Sequence, residues 1–185
     1  VKMLGGLDCD VVTYDNLTTG FADAVLHGEL VRGCLSDKVE LKKLFERHRF
    51  DAVMHLASSI QVGESVKRPA IYYQNNVANT LSLLEVMASF NVKNLIFSST
   101  AATFGEPQYI PIDENHPQIP INPYGRSKWI VEKVLWGVFF NNLALIHEDH
   151  AVGHGFGKTH FVGNTNHGDT LIGQFFHHVQ YFTDH

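Results

Sequence analysis

"DAVMHLASSIQVGESVKRPAIYYQNNVANTLSLLEVMASFNVKNLIFSST", Asp51 to Thr100, carries a strand, a helix and a second strand in one run. "DAVMHLA" (Asp51–Ala57) is a continuous apolar stretch of strand length, and "KNLIFSST" (Lys93–Thr100) is another. Between them Pro69 suits the first turn of a long helix through "AIYYQNNVANTLSLLEVMASF". Strands that are apolar on both faces and separated by helices predict a parallel sheet with both faces covered.

The pattern extends both ways. Upstream, "CDVVTYD" (Cys9–Asp15) is a β-branched run closed by an acid, and "ELVRGCL" (Glu29–Leu35) is a further strand candidate. "SDKVELKKLFERHRF" follows, with Ser36 as the expected N-cap and a stripe of Val39, Leu41, Leu44 and Phe45. Downstream, a loop rich in Pro and Gly from Thr103 to Pro123 leads to an amphipathic helix in "NPYGRSKWIVEKV" (Asn122–Val134). The fold class is therefore α/β, a doubly wound parallel sheet of the nucleotide-binding kind. Ligands of such sheets collect at the carboxyl ends of the strands, where Asp15, Ser58 and Ser98 to Thr100 stand.

Composition removes several classes of function. The net charge is −5 with no basic block, which argues against nucleic acid and anionic membrane as partners. No apolar run is long enough for a membrane span, and no secretory signal opens the chain. Cys9 and Cys34 make no disulfide framework and suit a reducing compartment, so a cytoplasmic protein is expected. The composition shifts sharply near Val134 to Gly137. The last fifty residues hold one of the 14 Lys and Arg, but eight of the 12 His and seven of the 13 Phe. That shift divides the chain into a domain over 1–135 and a divergent tail over 136–185, expected to be weakly structured.

An acid closing an early strand of a dinucleotide-binding sheet can accept both ribose hydroxyls of an adenosine, and Asp15 fits, with Asn16 beside it. The structural alternative is a turn-forming Asp-Asn pair. Thr100 could hydrogen-bond a substrate hydroxyl or simply cap a turn. Tyr124 and Lys128 lie four residues apart, one helical turn, on a common face. A tyrosine with a pKa near 10 serves as a base at neutral pH only when a neighbouring cation lowers it, and Lys128 is such a neighbour. A strand ending in Ser-Ser-Thr some two dozen residues upstream strengthens that reading over an incidental YxxxK.

The segments "TYDNLTTG", "AVMHLASSIQVGESVKRP", "YYQNNVANTLSLLEVM", "VKNLIFSSTAATFGEP" and "IPIDENHPQIPINPYGRSKWIVEKVL" resemble the UDP-glucose 4-epimerases of the extended short-chain dehydrogenase/reductase family. The resemblance runs from about Val1 to Leu135 and implies a Rossmann-like, NAD-binding domain that interconverts UDP-glucose and UDP-galactose. It implies that Tyr124 takes the proton of the sugar's 4-hydroxyl while NAD takes the hydride, that Lys128 holds the nicotinamide ribose, and that Thr100 shares the proton relay. It further implies cofactor contacts from Asp15, Asn16, Leu56, Ala57, Ser58, Asn76 and Ser98, and a homodimer. The related sugar-nucleotide dehydratases carry an Asp-Glu pair where this chain has Ala101 and Ala102, which favours epimerisation over dehydration.

The chain also departs from the family. Its opening strand and Gly-rich GxxGxxG turn have no counterpart, since "VKMLGGLDCD" matches the end of the helix that follows them. In the strand order 3-2-1-4-5-6 this leaves the strands ending at Asp15 and Ala57 facing a gap, so the sheet is expected to be incomplete. Cys34 replaces an acid that binds the adenine, and Phe104 replaces a tyrosine. Neither the later strand nor the sugar-nucleotide domain is recognisable after Leu135. In the tail, His147, His150 and His154 with Glu148 and Asp149 lack the HExxH spacing, and "GHGFGKT" (Gly153–Thr159) is one residue short of a phosphate loop, so no metal site is expected. Two readings stay open: an epimerase with its catalytic trio intact, or a non-catalytic remnant that at most binds NAD or a partner.

Overall fold

A computed structural model gives the architecture of residues 1–139, the residues it describes. In chain order the elements are α1 (Lys2–Gly5), β1 (Val12–Asp15), β2 (Glu29–Arg32), α2 (Lys38–Arg47), β3 (Ala52–His55), α3 (Val62–Lys67), α4 (Pro69–Tyr72), α5 (Asn79–Ser89), β4 (Asn94–Phe97) and α6 (Pro123–Phe139). A π-helical segment, Tyr73–Ala78, joins α4 to α5, so the expected long helix is one helical run with a widened turn inside it. Pro69 opens that run, where a missing amide hydrogen costs nothing.

The strands form two parallel pairs. β1 pairs with β2 from Val12↔Glu29 to Asp15↔Arg32, and β3 pairs with β4 from Ala52↔Asn94 to His55↔Phe97. β1 and β3 are not bonded to each other, so among the described residues the sheet is divided where the gap was expected. All four residues of β1 are half-buried. Ala52, Val53 and Met54 of β3 are half-buried too.

A shared core nevertheless holds the pieces together. Leu41, Leu44 and Phe45 of α2, Leu83, Leu84, Val86 and Met87 of α5, Leu95 of β4 and Val131 and Leu135 of α6 form one buried cluster. Val12, Tyr14, Val31 and Val53 pack against it, so both strand pairs rest on the same apolar mass. Hydrophobic burial supplies the cohesion that strand pairing supplies in a continuous sheet.

Two local expectations need correction. The N-cap of α2 is Asp37, whose Oδ1 accepts from Val39 N at 3.1 Å and Glu40 N at 3.0 Å. Ser36 instead donates its hydroxyl to the Cys34 thiol at 3.1 Å, and the carboxylate is the better partner for the positive helix end. Val39 is 64% exposed, because two positions before Leu41 is about 200° around the helix. Near the end of the described residues, α6 runs through the 135/136 division without a break.

Candidate active site

Both strands of the second pair end beside α6. Lys128 is buried on that helix, and its Nζ donates to Ser58 Oγ at 2.5 Å and to the Ser98 carbonyl at 2.8 Å. One side chain therefore ties α6 to the turn after β3 and to the end of β4. Its Nζ also lies 4.7 Å from the centroid of the Phe97 ring. Burial lowers the Lys128 pKa from 10.5 to about 8, and the Glu132 carboxylate acts in the opposite direction. The ammonium remains mostly charged at neutral pH and is poised to lose its proton just above it.

Tyr124 lies one turn before Lys128, half-buried, its ring edge-on to Tyr72 with centroids 6.4 Å apart. Tyr72 is fully buried, with its hydroxyl within hydrogen-bond reach of the Gln61 carbonyl at 2.7 Å and Glu64 Oε2 at 3.0 Å. Burial and the Glu64 carboxylate raise its pKa, so Tyr72 is a fixed neutral wall for Tyr124. The helix start comes close to the Ser-Ser-Thr turn because residue 125 is glycine. A Cβ there would stand 2.3 Å from the Ala102 carbonyl oxygen. Thr100 caps the short 3-10 turn Ala101–Thr103, its Oγ1 accepting from Ala102 N at 3.2 Å. That bond uses the oxygen and leaves the hydroxyl proton to be donated.

Asn76 belongs to the π-helical turn and is buried. Its Oδ1 accepts from Ser59 N at 2.8 Å, and its Nδ2 donates to the Ser59 carbonyl and to Ser127 Oγ, both at 3.0 Å. Ser127 in turn donates to the Tyr124 carbonyl at 2.7 Å. The amide expected beside a ribose is engaged by the protein on both of its ends. Beneath it, His55 Nε2 meets Thr80 Oγ1 at 2.7 Å, and Thr80 donates to the Asn76 carbonyl at 2.7 Å. Burial, reinforced by the charge of Lys128, lowers the His55 pKa to about 4 and keeps the ring neutral.

The end of β1 is a second polar locus. Asp15 Oδ1 accepts from Leu17 N at 2.7 Å, and Asn16 Oδ1 accepts from Thr18 N at 3.0 Å and from the Thr18 hydroxyl at 2.7 Å. Both side chains thus shape their own turn, with Leu17 in the left-handed region at φ 57°. Among the described residues nothing donates to Asp15 Oδ2, which is left for a hydroxyl donor. Cys34 lies at the end of β2, its thiol pKa lowered chiefly by the Ser36 hydroxyl, with Asn16 contributing a further hydrogen bond. Leu56 and Ala57 are exposed in the turn after β3.

The structure brings Thr100, Tyr124, Lys128, Ser58, Ser98 and Asn76 together around α6. Asp15 and Asn16 stand apart, on the other strand pair. Sequence reading passed over His55, Ser127 and Glu132. Glu132 had a visible signal, since it follows Lys128 by the same four-residue step that separates Lys128 from Tyr124. No group of three or more His, Cys, Asp or Glu that could hold a metal occurs among the described residues. No described helix is long and apolar enough to cross a membrane. The tail candidates His147, Glu148, Asp149, His150 and His154, and the stretch Gly153–Thr159, lie outside the described residues.

Known proteins share both the sequence and the fold of this chain. The UDP-glucose 4-epimerase of Rhizobium meliloti is 48% identical over 124 residues, covering 67% of this chain and 38% of that protein. The solved UDP-glucose 4-epimerase from Brucella ovis, a complex with NAD, superposes with a TM-score of 0.76 at 44% identity, over 78% of this chain and 45% of that one. The enzyme from Bifidobacterium longum, solved with NAD+ and UDP, gives 0.75 at 34% identity over 77% and 46%. The chain thus spans less than half the length of the relatives it matches. The model of the NAD dependent epimerase/dehydratase family matches residues 1–139, and to that family the chain belongs.

Proposed function

We propose that the site serves epimerisation at C4 of a UDP-sugar, interconverting UDP-glucose and UDP-galactose with NAD as the bound cofactor. The observation that carries this reading is the buried Lys128 ammonium, held between Ser58 and Ser98 one turn from Tyr124. The side chains fit a dinucleotide: a carboxylate with a free oxygen at the end of β1, and a fixed cation at the ends of β3 and β4. Asp15 and Asn16 would meet the adenosine ribose, Leu56, Ala57 and Ser58 the pyrophosphate, and Asn76, Ser98, Tyr124 and Lys128 the nicotinamide half. When bound, the cofactor supplies a reversible hydride acceptor.

Tyr124 then accepts the proton of the sugar's 4-hydroxyl and later returns it. Lys128 places a positive charge one helical turn from Tyr124, held there by Ser58 and Ser98. Thr100 donates its hydroxyl proton toward the same oxygen. Ala101 and Ala102 offer no further acid or base, consistent with epimerisation rather than loss of water. A cytoplasmic homodimer is the setting this reading takes.

The division between β1–β2 and β3–β4 favours a second reading, in which the chain is a non-catalytic fragment that binds NAD or a partner. Thermal unfolding with and without NAD, followed by an assay of UDP-glucose against UDP-galactose, separates the two. An upward shift with NAD together with turnover supports the first. A shift without turnover leaves the binding fragment. Indifference to NAD with no turnover overturns the epimerase reading.

A further inference from the structure

The Tyr124–Lys128 face of α6 continues to Glu132, four residues further on. The Ser99 hydroxyl donates to Glu132 Oε1, and Gln118 Nε2 donates to Glu132 Oε2 at 2.6 Å. Lys133 Nζ donates to Gln118 Oε1 at 2.8 Å and completes the tie to the loop. Ser99 stands between Ser98, whose carbonyl receives Lys128, and Thr100. Gln118 lies in the long segment between β4 and α6. One carboxylate on α6 therefore holds both the Ser-Ser-Thr turn and the segment that follows it.

Ser99 and Gln118 are neutral donors, and hydrogen bonds from them leave the carboxylate its charge. That charge lies one helical turn from an ammonium buried by β3, β4 and α6. The titratable groups facing Lys128 are His55 from β3 and Tyr124 and Glu132 from α6, and β4 contributes only the Ser98 carbonyl and the Phe97 ring. His55 is kept neutral by its burial. Glu132 is the carboxylate of this set, and its charge acts on Lys128 to favour the ammonium.

We propose that Glu132 is a positioning residue of the site, which fixes the Ser99–Thr100 turn against α6 and sets a carboxylate one helical turn from Lys128. The proposal deepens the epimerase reading and rests on it for its meaning in catalysis. Its physical content, a charge coupling between two named side chains, stands independently of turnover.

The test is an NMR titration of the Lys128 ammonium in the full chain carrying 15Nζ-labelled lysine, for the native protein and for Glu132→Gln and Glu132→Asp. Glu132→Gln keeps the size but loses the charge, and the Lys128 midpoint should fall by about one pH unit. Glu132→Asp keeps the charge and should restore most of that shift. A fold retained by Glu132→Asp and lost by Glu132→Gln supports the proposal as well. An unchanged midpoint in Glu132→Gln, or loss of the fold in both variants, overturns it and leaves Glu132 a packing residue. Absence of NAD binding in the native chain would count against the epimerase reading alone, because the Lys128 midpoint is read without cofactor.

Discussion

Asn76 Nδ2 donates to Ser127 Oγ at 3.0 Å across 51 residues of sequence, and the Asn76 amide also grips the backbone of Ser59 through both its N–H and its carbonyl. A single side chain thus joins the turn after β3 to the helix that carries Tyr124. Truncation removes the partner of two half-buried Ser59 backbone groups and of the buried Ser127 hydroxyl at once. Asn76→Ala should lower the unfolding free energy by about 2–4 kcal/mol, read as a fall in the urea midpoint. A loss below about 0.5 kcal/mol would show that water replaces the amide freely.

Lys128 is a buried cation whose folded-state pKa is near 8 against an ordinary 10.5. Between these values the unfolded chain binds more protons than the folded one, so this residue makes stability rise with pH through that window. The rise attributable to it is about 3 kcal/mol at most. Lys128→Met should abolish that component and leave stability at pH 7 within about 1 kcal/mol of native, since a desolvated charge is removed along with its hydrogen bonds. Urea midpoints of both proteins at pH 7.5 and pH 10 measure the difference. NAD binding, by contrast, should fall at least about tenfold in the variant.

His55 works in the acid range. Its folded pKa of about 4 lies below the ordinary 6.5, so the unfolded chain gains the proton first as pH falls. Stability is therefore lost from about pH 6.5 down to about 4, by an amount of order 3 kcal/mol from this group. His55→Gln keeps a partner for Thr80 and cannot titrate, and its stability should fall less steeply over the same interval. Parallel curves for the two proteins would show that His55 does not titrate differently on folding.

Gly125 and Gly63 form a matched pair of tests. A Cβ at residue 125 would stand 2.3 Å from the Ala102 carbonyl oxygen, whereas at residue 63 nothing lies within 4 Å. Gly125→Ala should therefore cost about 3 kcal/mol or more by forcing α6 away from the Thr100 turn. Gly63→Ala, in α3, should gain about 0.5–1 kcal/mol by reducing the freedom of the unfolded chain. Equal melting temperatures for the two variants would contradict the packing described here.

Local chemistry was legible in the sequence. The step from Tyr124 to Lys128 is a property of any helix, and "NLIFSST" reads as a strand running into a polar turn wherever it occurs. Partners brought from elsewhere were not. Ser59 lies 17 residues from Asn76 and Ser127 lies 51, and no periodicity links them. His55 sits inside an apolar run and looks like filler there until Thr80 meets its ring. Ser36 looked like the better cap because serine is a common one, but a thiol two residues earlier takes its proton. The division of the sheet was anticipated from the strand order, whereas the common core that bridges it required coordinates.

The two strand pairs have a consequence for handling. Every strand among the described residues is an edge, so four rows of backbone donors and acceptors lie open where one continuous four-stranded sheet would have two. β2 carries exposed charges at both ends, Glu29 and Arg32, which discourage a second chain from docking. β3, Ala-Val-Met-His, has no permanent charge to repel one. β4, Asn-Leu-Ile-Phe, has none either, so the β3–β4 pair offers a second chain its least guarded edges. Pairing of that kind takes two chains, so it grows with protein concentration.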